Sequence, residues 1–307
     1  MPSGPARAGK NTAVTGRALV LGSGGITGVA WEVGLLAGLA ERGLDLAGAD
    51  LVIGTSAGAL AGAQVTSGTS LADLYQAQIT PDGVDVIAGM SRGLVMRYAL
   101  AYCLPGTPTR ARIRMGKLAL ASPELPEAER SAVIGAWLPS HDWPPRKLLI
   151  TAVDVVSGKF TAFDGASGAS LIEAVSASCA VPGVWPPVRI NGRQWMDGGM
   201  RSATNADLAA ECERIVVLAP IWQGFGLLKG AVHQCRRLAR HGQRAVALVV
   251  PGEAARAAIG ANLLDSSRRA PAAQAGYAQA AAAASQIATA WSGEFQDDAG
   301  SLGHVHR

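Results

Sequence analysis

A chain of 307 residues, 49% of them apolar, can bury a large core in one or two domains, and a formal charge of +4 at this length does not mark a nucleic-acid partner. Cys103, Cys179, Cys212 and Cys235 lie far apart and without ligand spacing, so they read as thiols and not as a disulfide framework or a metal site; no metal and no cofactor is expected. Met1 to Arg17 lacks a continuous apolar stretch, and no run reaches the roughly 18 apolar residues of a membrane span, which makes a cytoplasmic protein the expectation.

In chain order, residues 1–15 are basic and rich in Gly, Pro and Ser, and are expected to form a disordered tail. Ala18-Leu19-Val20-Leu21 reads as a buried strand. It runs into a glycine-rich loop, Gly22-Ser23-Gly24-Gly25-Ile26-Thr27-Gly28, and then into a helix from Val29 to Arg42, apolar nearly all round and stopped by Gly43. A second strand, Leu51 to Ile53, ends in Gly54-Thr55-Ser56-Ala57-Gly58, followed by a helix of small residues to about Thr66. Residues 80–146 mix Pro, Gly, Arg and aromatics with short apolar pieces, and read as a mostly helical, lid-like insertion.

Strands resume at 147–155 and 159–163, a helix is expected at 170–178, and extended chain runs from Val184 to Met196 around a turn at Asn191-Gly192. Strands at 214–218 and 245–250 flank a helix at 227–240. An Ala- and Gln-rich helix over 272–291 precedes a flexible tail at 294–307. Short apolar strands alternating with helices predict an α/β fold: three layers, with a mainly parallel central sheet and helices on both faces, in one domain over 16–293.

The chemistry centres on Gly54-x-Ser56-x-Gly58 between a strand and a helix. Glycines on both sides allow a turn so tight that the serine hydroxyl stands clear of the backbone, at the positive end of a helix. Ser56 is therefore the candidate nucleophile. The loop at 22–28 offers backbone N–H groups to an anion, which suits an oxyanion hole; a nucleotide-phosphate site is the rival reading, weakened by the absence of a clean G-x-G-x-x-G and of a ribose-binding acid after the second strand. Asp197, leaving an extended segment into Gly198-Gly199, is the candidate general base.

These three stretches in this order, together with Ala177-Ser178-Cys179-Ala180-Val181-Pro182-Gly183 and Pro186-Pro187-Val188, resemble the patatin-like phospholipases over roughly residues 17–250. The resemblance implies a patatin-like serine acyl hydrolase that attacks acyl esters or phospholipids with a Ser56–Asp197 dyad and an acyl-enzyme intermediate. The oxyanion donors then fall around Gly24, Gly25 and Ile26. Two positions depart from the family pattern: Ser23 stands where glycine is usual, and Thr27 where Arg or Lys is usual.

A Ser-His-Asp arrangement is the mechanistic alternative, since His233 and His241 follow Asp197, and a non-catalytic lipid-binding protein is the functional one. Arg92, Arg97, Arg110, Arg112, Arg114 and Lys117, interleaved with Met90, Leu94, Met96, Tyr98, Leu100 and Leu104, suggest transient contact with a lipid surface, against the plainer reading of a solvated lid.

Overall fold

The computed structural model describes residues 16–80, 89, 91–240 and 244–292. The tails at 1–15 and 294–307, together with Met90 and His241, lie outside the described residues.

The first half of the chain builds β1 (Arg17–Leu21), α1 (Gly25–Ala40), β2 (Leu51–Gly54), α2 (Ala57–Val65), α3 (Leu71–Ile79), α4 (Arg92–Cys103), α5 (Pro108–Leu120) and α6 (Glu127–Ala136). The second half adds β3 (Lys147–Asp154), β4 (Phe160–Phe163), α7 (Leu171–Ser178), β5 (Val188–Ile190), β6 (Arg193–Asp197), β7 (Arg214–Leu218), α8 (Ala231–Arg240), β8 (Ala245–Val249), α9 (Glu253–Ile259) and α10 (Arg269–Ser292).

All eight strands join one sheet, connected β5-β6-β3-β2-β1-β7-β8 with β4 also on β3. The β3-β2-β1-β7-β8 part is parallel, and the β4, β5 and β6 pairings are antiparallel. The period-2 alternation of the strands sends their side chains into two cores. Leu19, Leu21, Val52, Leu148, Ile150, Val216 and Leu218 pack with α1, α2, α7 and α10. Ala18, Val20, Ile53, Ile215 and Val217 face α8 and the short helical turn at 206–209. Helices thus cover both faces, as the sequence predicts. A smaller cluster holds α4 and α5 against the ends of β3 and β6, through Tyr102, Met115, Val153 and Met196.

Several boundaries differ from expectation. The helix expected from Val29 starts at Gly25, so Gly28 is helical and its N–H bonds Gly24 O at 2.9 Å. The helix expected from 227 starts only at Ala231, because Phe225 and Leu228 first close a tight turn through paired backbone bonds. Two helices escaped the sequence reading. One, α3, is opened by Ser70, whose side chain accepts the Asp73 N–H. The other, α9, is only seven residues long. The Asn191-Gly192 turn is as predicted, with both residues at positive φ (50° and 74°), the geometry of a two-residue hairpin turn between β5 and β6.

The register around β3 positions the site. Ile150 pairs with Gly54 of β2 and with Phe163 of β4, so those two strands lie on opposite edges. Ala152 pairs with Thr161 of β4 and with Asp197 of β6. Consequently β2 and β6 occupy the same edge of β3, one after the other. The chain leaves β2 at Gly54 just where β6, running the opposite way, ends at Asp197.

Candidate active site

Thr151 sits at the junction between those two strand ends. It is fully buried, and its hydroxyl bonds Thr55 Oγ1 at 2.9 Å and Gly54 O at 3.3 Å. Asn205, in the left-handed conformation (φ 48°), donates through Nδ2 to Thr55 Oγ1, Thr151 Oγ1 and the carbonyls of Gly198 and Ser202, at 3.0–3.3 Å. One amide thereby ties the serine turn to the Asp-Gly-Gly turn.

Ser56 follows Thr55 with φ 55° and ψ −118°, a strained conformation for a residue with a side chain. Its N–H donates to Ser178 Oγ (2.9 Å) and its carbonyl accepts from Cys179 Sγ (3.3 Å), both at the end of α7. Gly58 has no alternative here: a Cβ would overlap the carbonyl of Leu21, and its N–H instead bonds Gly22 O at 3.0 Å.

The Asp197 carboxylate shares the cavity with Ser56, whose side chain acts on it, and accepts the Gly199 N–H on Oδ1 at 2.6 Å. Burial raises its pKa to about 7, partly countered by the Ser56 side chain and the Gly199 N–H. The same buried charge, added to desolvation, pushes the Tyr98 and Tyr102 hydroxyls and the Cys179 thiol above their ordinary ranges.

The glycine-rich stretch divides in two. Gly22 N–H is occupied by Leu218 O (3.0 Å) and by Glu32 Oε1 (2.8 Å), and Ser23 N–H by Ala203 O (2.7 Å). By contrast, the N–H groups of Gly24, Gly25 and Ile26 meet no acceptor among the described residues, and all three residues border the cavity that holds Ser56. Gly25 (φ 60°) turns the chain into α1 against Leu263 O, where no side chain fits. The N–H of Ala57, at the start of α2, is likewise free of a described partner.

Of the two departures, the Ser23 hydroxyl is buried without a partner and borders the cavity, whereas Thr27 turns away from it and bonds Leu263 O. Glu32, wholly buried in α1, has its pKa raised well above the ordinary carboxylate value by desolvation, against the lowering effect of the Gly22 N–H.

The cavity measures about 370 Å³ and its walls are mostly apolar, including Leu60, Ile134, Trp185, Ile221 and Leu228. Above it, α4 is pinned by Tyr98, whose hydroxyl donates to Pro182 O (2.9 Å), and by Tyr102, which donates to Met200 O (2.7 Å). No histidine among the described residues borders the cavity: His233 is exposed on α8, and His141 is exposed beside Gly135 O. Asp154 is a strand-end turn residue, accepting the N–H groups of Val156 and Ser157.

Sequence reasoning missed Thr151, Ser178, Arg130 and Glu32. Thr151 and Glu32 are single polar residues inside apolar segments, Arg130 sits among other charged residues, and Ser178 enters only as part of a resembling stretch; their contacts in the fold reveal their places.

The family model of patatin-like phospholipases matches residues 19–210. The chain belongs to the patatin-like phospholipase family, whose members are lipid acyl hydrolases. No curated protein matches it. Among solved structures it is similar to VipD from Legionella pneumophila, at 13% identity over 90% of this chain and 67% of that one, with a TM-score of 0.44. It is also similar to the type III effector protein ExoU, at 14% identity over 87% of this chain and 53% of that one, with a TM-score of 0.36. No described helix is long and apolar enough to cross a membrane.

Proposed function

We propose that the chain is a serine acyl-ester hydrolase acting on lipids, with Ser56 as nucleophile and Asp197 as the single base. The observation that carries this reading is a strained, buried serine and a buried carboxylate on the same cavity, set beside three N–H groups without partners among the described residues. Asp197 takes the Ser56 proton as Oγ attacks the ester carbonyl, and the N–H groups of Gly24, Gly25 and Ile26 receive the oxyanion. The ester C–O bond breaks, and the departing alkoxide collects the proton held by Asp197. A water molecule then gives its proton to Asp197 and attacks the acyl-enzyme, and Ser56 leaves with that proton restored.

A carboxylate of ordinary acidity is a poor base for a hydroxyl. Burial, by lifting Asp197 to about 7, makes it a stronger one at neutral pH. The apolar cavity suits the acyl chain.

The proposed catalytic unit is one domain over 16–293, with 80–146 as its cover. The face of α4 turned away from the cavity exposes Val95 (52%), Met96 (60%) and Leu100 (52%), with Arg97 exposed among them. This favours an enzyme that meets lipid surfaces peripherally through its cover.

The test is labelling by a fluorophosphonate together with hydrolysis of p-nitrophenyl esters and phospholipids. Wild type labels and turns over, and Ser56→Ala does neither, with activity lower by at least about 10⁴-fold. Folded wild-type protein that neither labels nor hydrolyses would leave the non-catalytic lipid-binding reading.

A further inference from the structure

The cavity wall formed by α6 and α7 contains a cation where an acyl pocket needs none. Arg130 is 6% exposed and borders the cavity. Its Nη1 donates to Pro186 O at 2.6 Å and to Pro187 O at 3.3 Å, while Nε and Nη2 donate to no described residue. No carboxylate among the described residues forms an ion pair with it. The acid acting on it is Glu127, exposed and one turn earlier on the same helix.

A guanidinium this buried, neutralised only by carbonyl dipoles, bears a desolvation cost that an incoming anion would offset. Two further residues of the same lining each carry a buried donor with no partner among the described residues. Ser176 Oγ, on α7, is buried and unpartnered, and so is Trp137 Nε1, just past the end of α6. Arg130, Ile134 and Trp137 follow helical spacing, which turns one face of α6 towards the cavity. Leaving buried donors unmet is costly, and three of them on one wall of a mostly apolar pocket define a ligand chemistry.

We propose that Arg130, Ser176 and Trp137 form an oxyanion subsite in the cavity wall that receives a phosphodiester or carboxylate carried by the substrate. It rests on reading this cavity as the site of acyl-ester hydrolysis. The planar fork of Arg130 keeps the N–H groups of Nε and Nη2 for the anion's oxygens, and the hydroxyl and indole N–H supply the remainder. The subsite is separate from the free N–H groups of Gly24, Gly25 and Ile26, which lie on β1–α1 and serve the reacting carbonyl. The enzyme would then prefer anionic acyl esters over neutral ones of equal chain length.

Binding is measured by calorimetry in the Ser56→Ala background, which removes turnover, with decyl phosphate, decanoate and decanol as probes. Arg130→Gln should weaken whichever anion binds by about tenfold or more and leave decanol within about twofold. Tighter binding of decyl phosphate assigns the subsite to a phosphodiester head, and tighter binding of decanoate assigns it to a carboxylate-bearing ester. Equal weakening of decanol, or unchanged binding of both anions, overturns the proposal.

Should Arg130→Gln lose its cooperative melting transition, Ser176→Ala and Trp137→Phe decide, since neither touches the Pro186 and Pro187 carbonyls. Each should weaken the anion several-fold and spare decanol; anion binding unchanged in both overturns the subsite. Hydrolysis by the parent enzyme is scored separately. An inactive parent with Arg130-dependent anion binding rejects the hydrolase and keeps the subsite. An active parent whose anion binding ignores Arg130 does the reverse.

Discussion

The floor of the cavity and its cover are built on opposite plans. On the floor, the ends of β1, β2, β3 and β6 are buried and cross-tied, down to a fully buried threonine and asparagine that bond each other. The cover, α4 to α6, is amphipathic: Tyr98, Tyr102 and Arg130 face inward, while Met96 and Leu100 face solvent. On the proposed function, the floor would hold the reacting atoms and the cover would select what reaches them. Substitutions in the first should therefore alter turnover, and substitutions in the second should alter which substrate is taken.

The largest effect expected, after loss of the serine itself, is at Asp197. Asp197→Asn should lower kcat by about 10²–10⁴-fold, the span of a lost general base, and His233→Ala should leave it unchanged. The opposite outcome would restore the histidine triad. In wild type, activity should climb with an acid limb near pH 7, as Asp197 loses its proton.

The same burial predicts a gain in stability. Because the folded pKa is raised from 3.8 to about 7, ionisation costs stability progressively as pH rises between those values, and the full cost remains above pH 7. Asn cannot ionise. The substitution should leave stability little changed near pH 3 and raise it by a few kcal/mol at pH 8. Thermal melts of both proteins across pH read this directly, and a gap that stays flat with pH would remove Asp197 as the titrating group.

A smaller effect is expected at the junction. Thr151→Val keeps the shape but removes the hydroxyl shared by Thr55, Gly54 and Asn205, at a cost of about 1–3 kcal/mol in stability. Because the serine turn and Asp197 both lie beside it, kcat should fall while KM for a soluble ester holds. A fall in Tm with kcat intact would confine Thr151 to a structural role.

The smallest effect tests the cover. Met96→Glu with Leu100→Glu should reduce hydrolysis of anionic vesicles by about tenfold and leave a short soluble ester within twofold. Equal loss on both substrates would mean that α4 had been disrupted instead.

The floor was also the more legible region. Gly54, Ser56 and Gly58 are close in sequence, and the turn they make admits few other residues, so local spacing exposes them. Asp197 shows itself through Gly198 and Gly199 for the same reason. Arg130 offers no such signal: in sequence it is one more arginine of the insertion, and only the folded cavity separates it from Arg110, which is exposed, or Arg114, which is half-buried. Ser178 and Asn205 act on Ser56 and Thr55 across 122 and 150 residues, beyond the reach of any local pattern. The short α9 lacks the length for a clear helical period, whereas α3 had a legible serine cap.

The shared edge of β3 has a consequence for how the molecule comes into being. Ser56 reaches this edge only when β2 pairs with β3 across the whole insertion, and Asp197 only when the hairpin of β5 and β6 closes on the remainder of that edge. Pairings so distant in sequence form slowly, after local helices and turns. Until both pairings are made, Ser56 and Asp197 are not brought to one cavity. On the proposed function, recovery of esterase activity during refolding would time the completion of this edge.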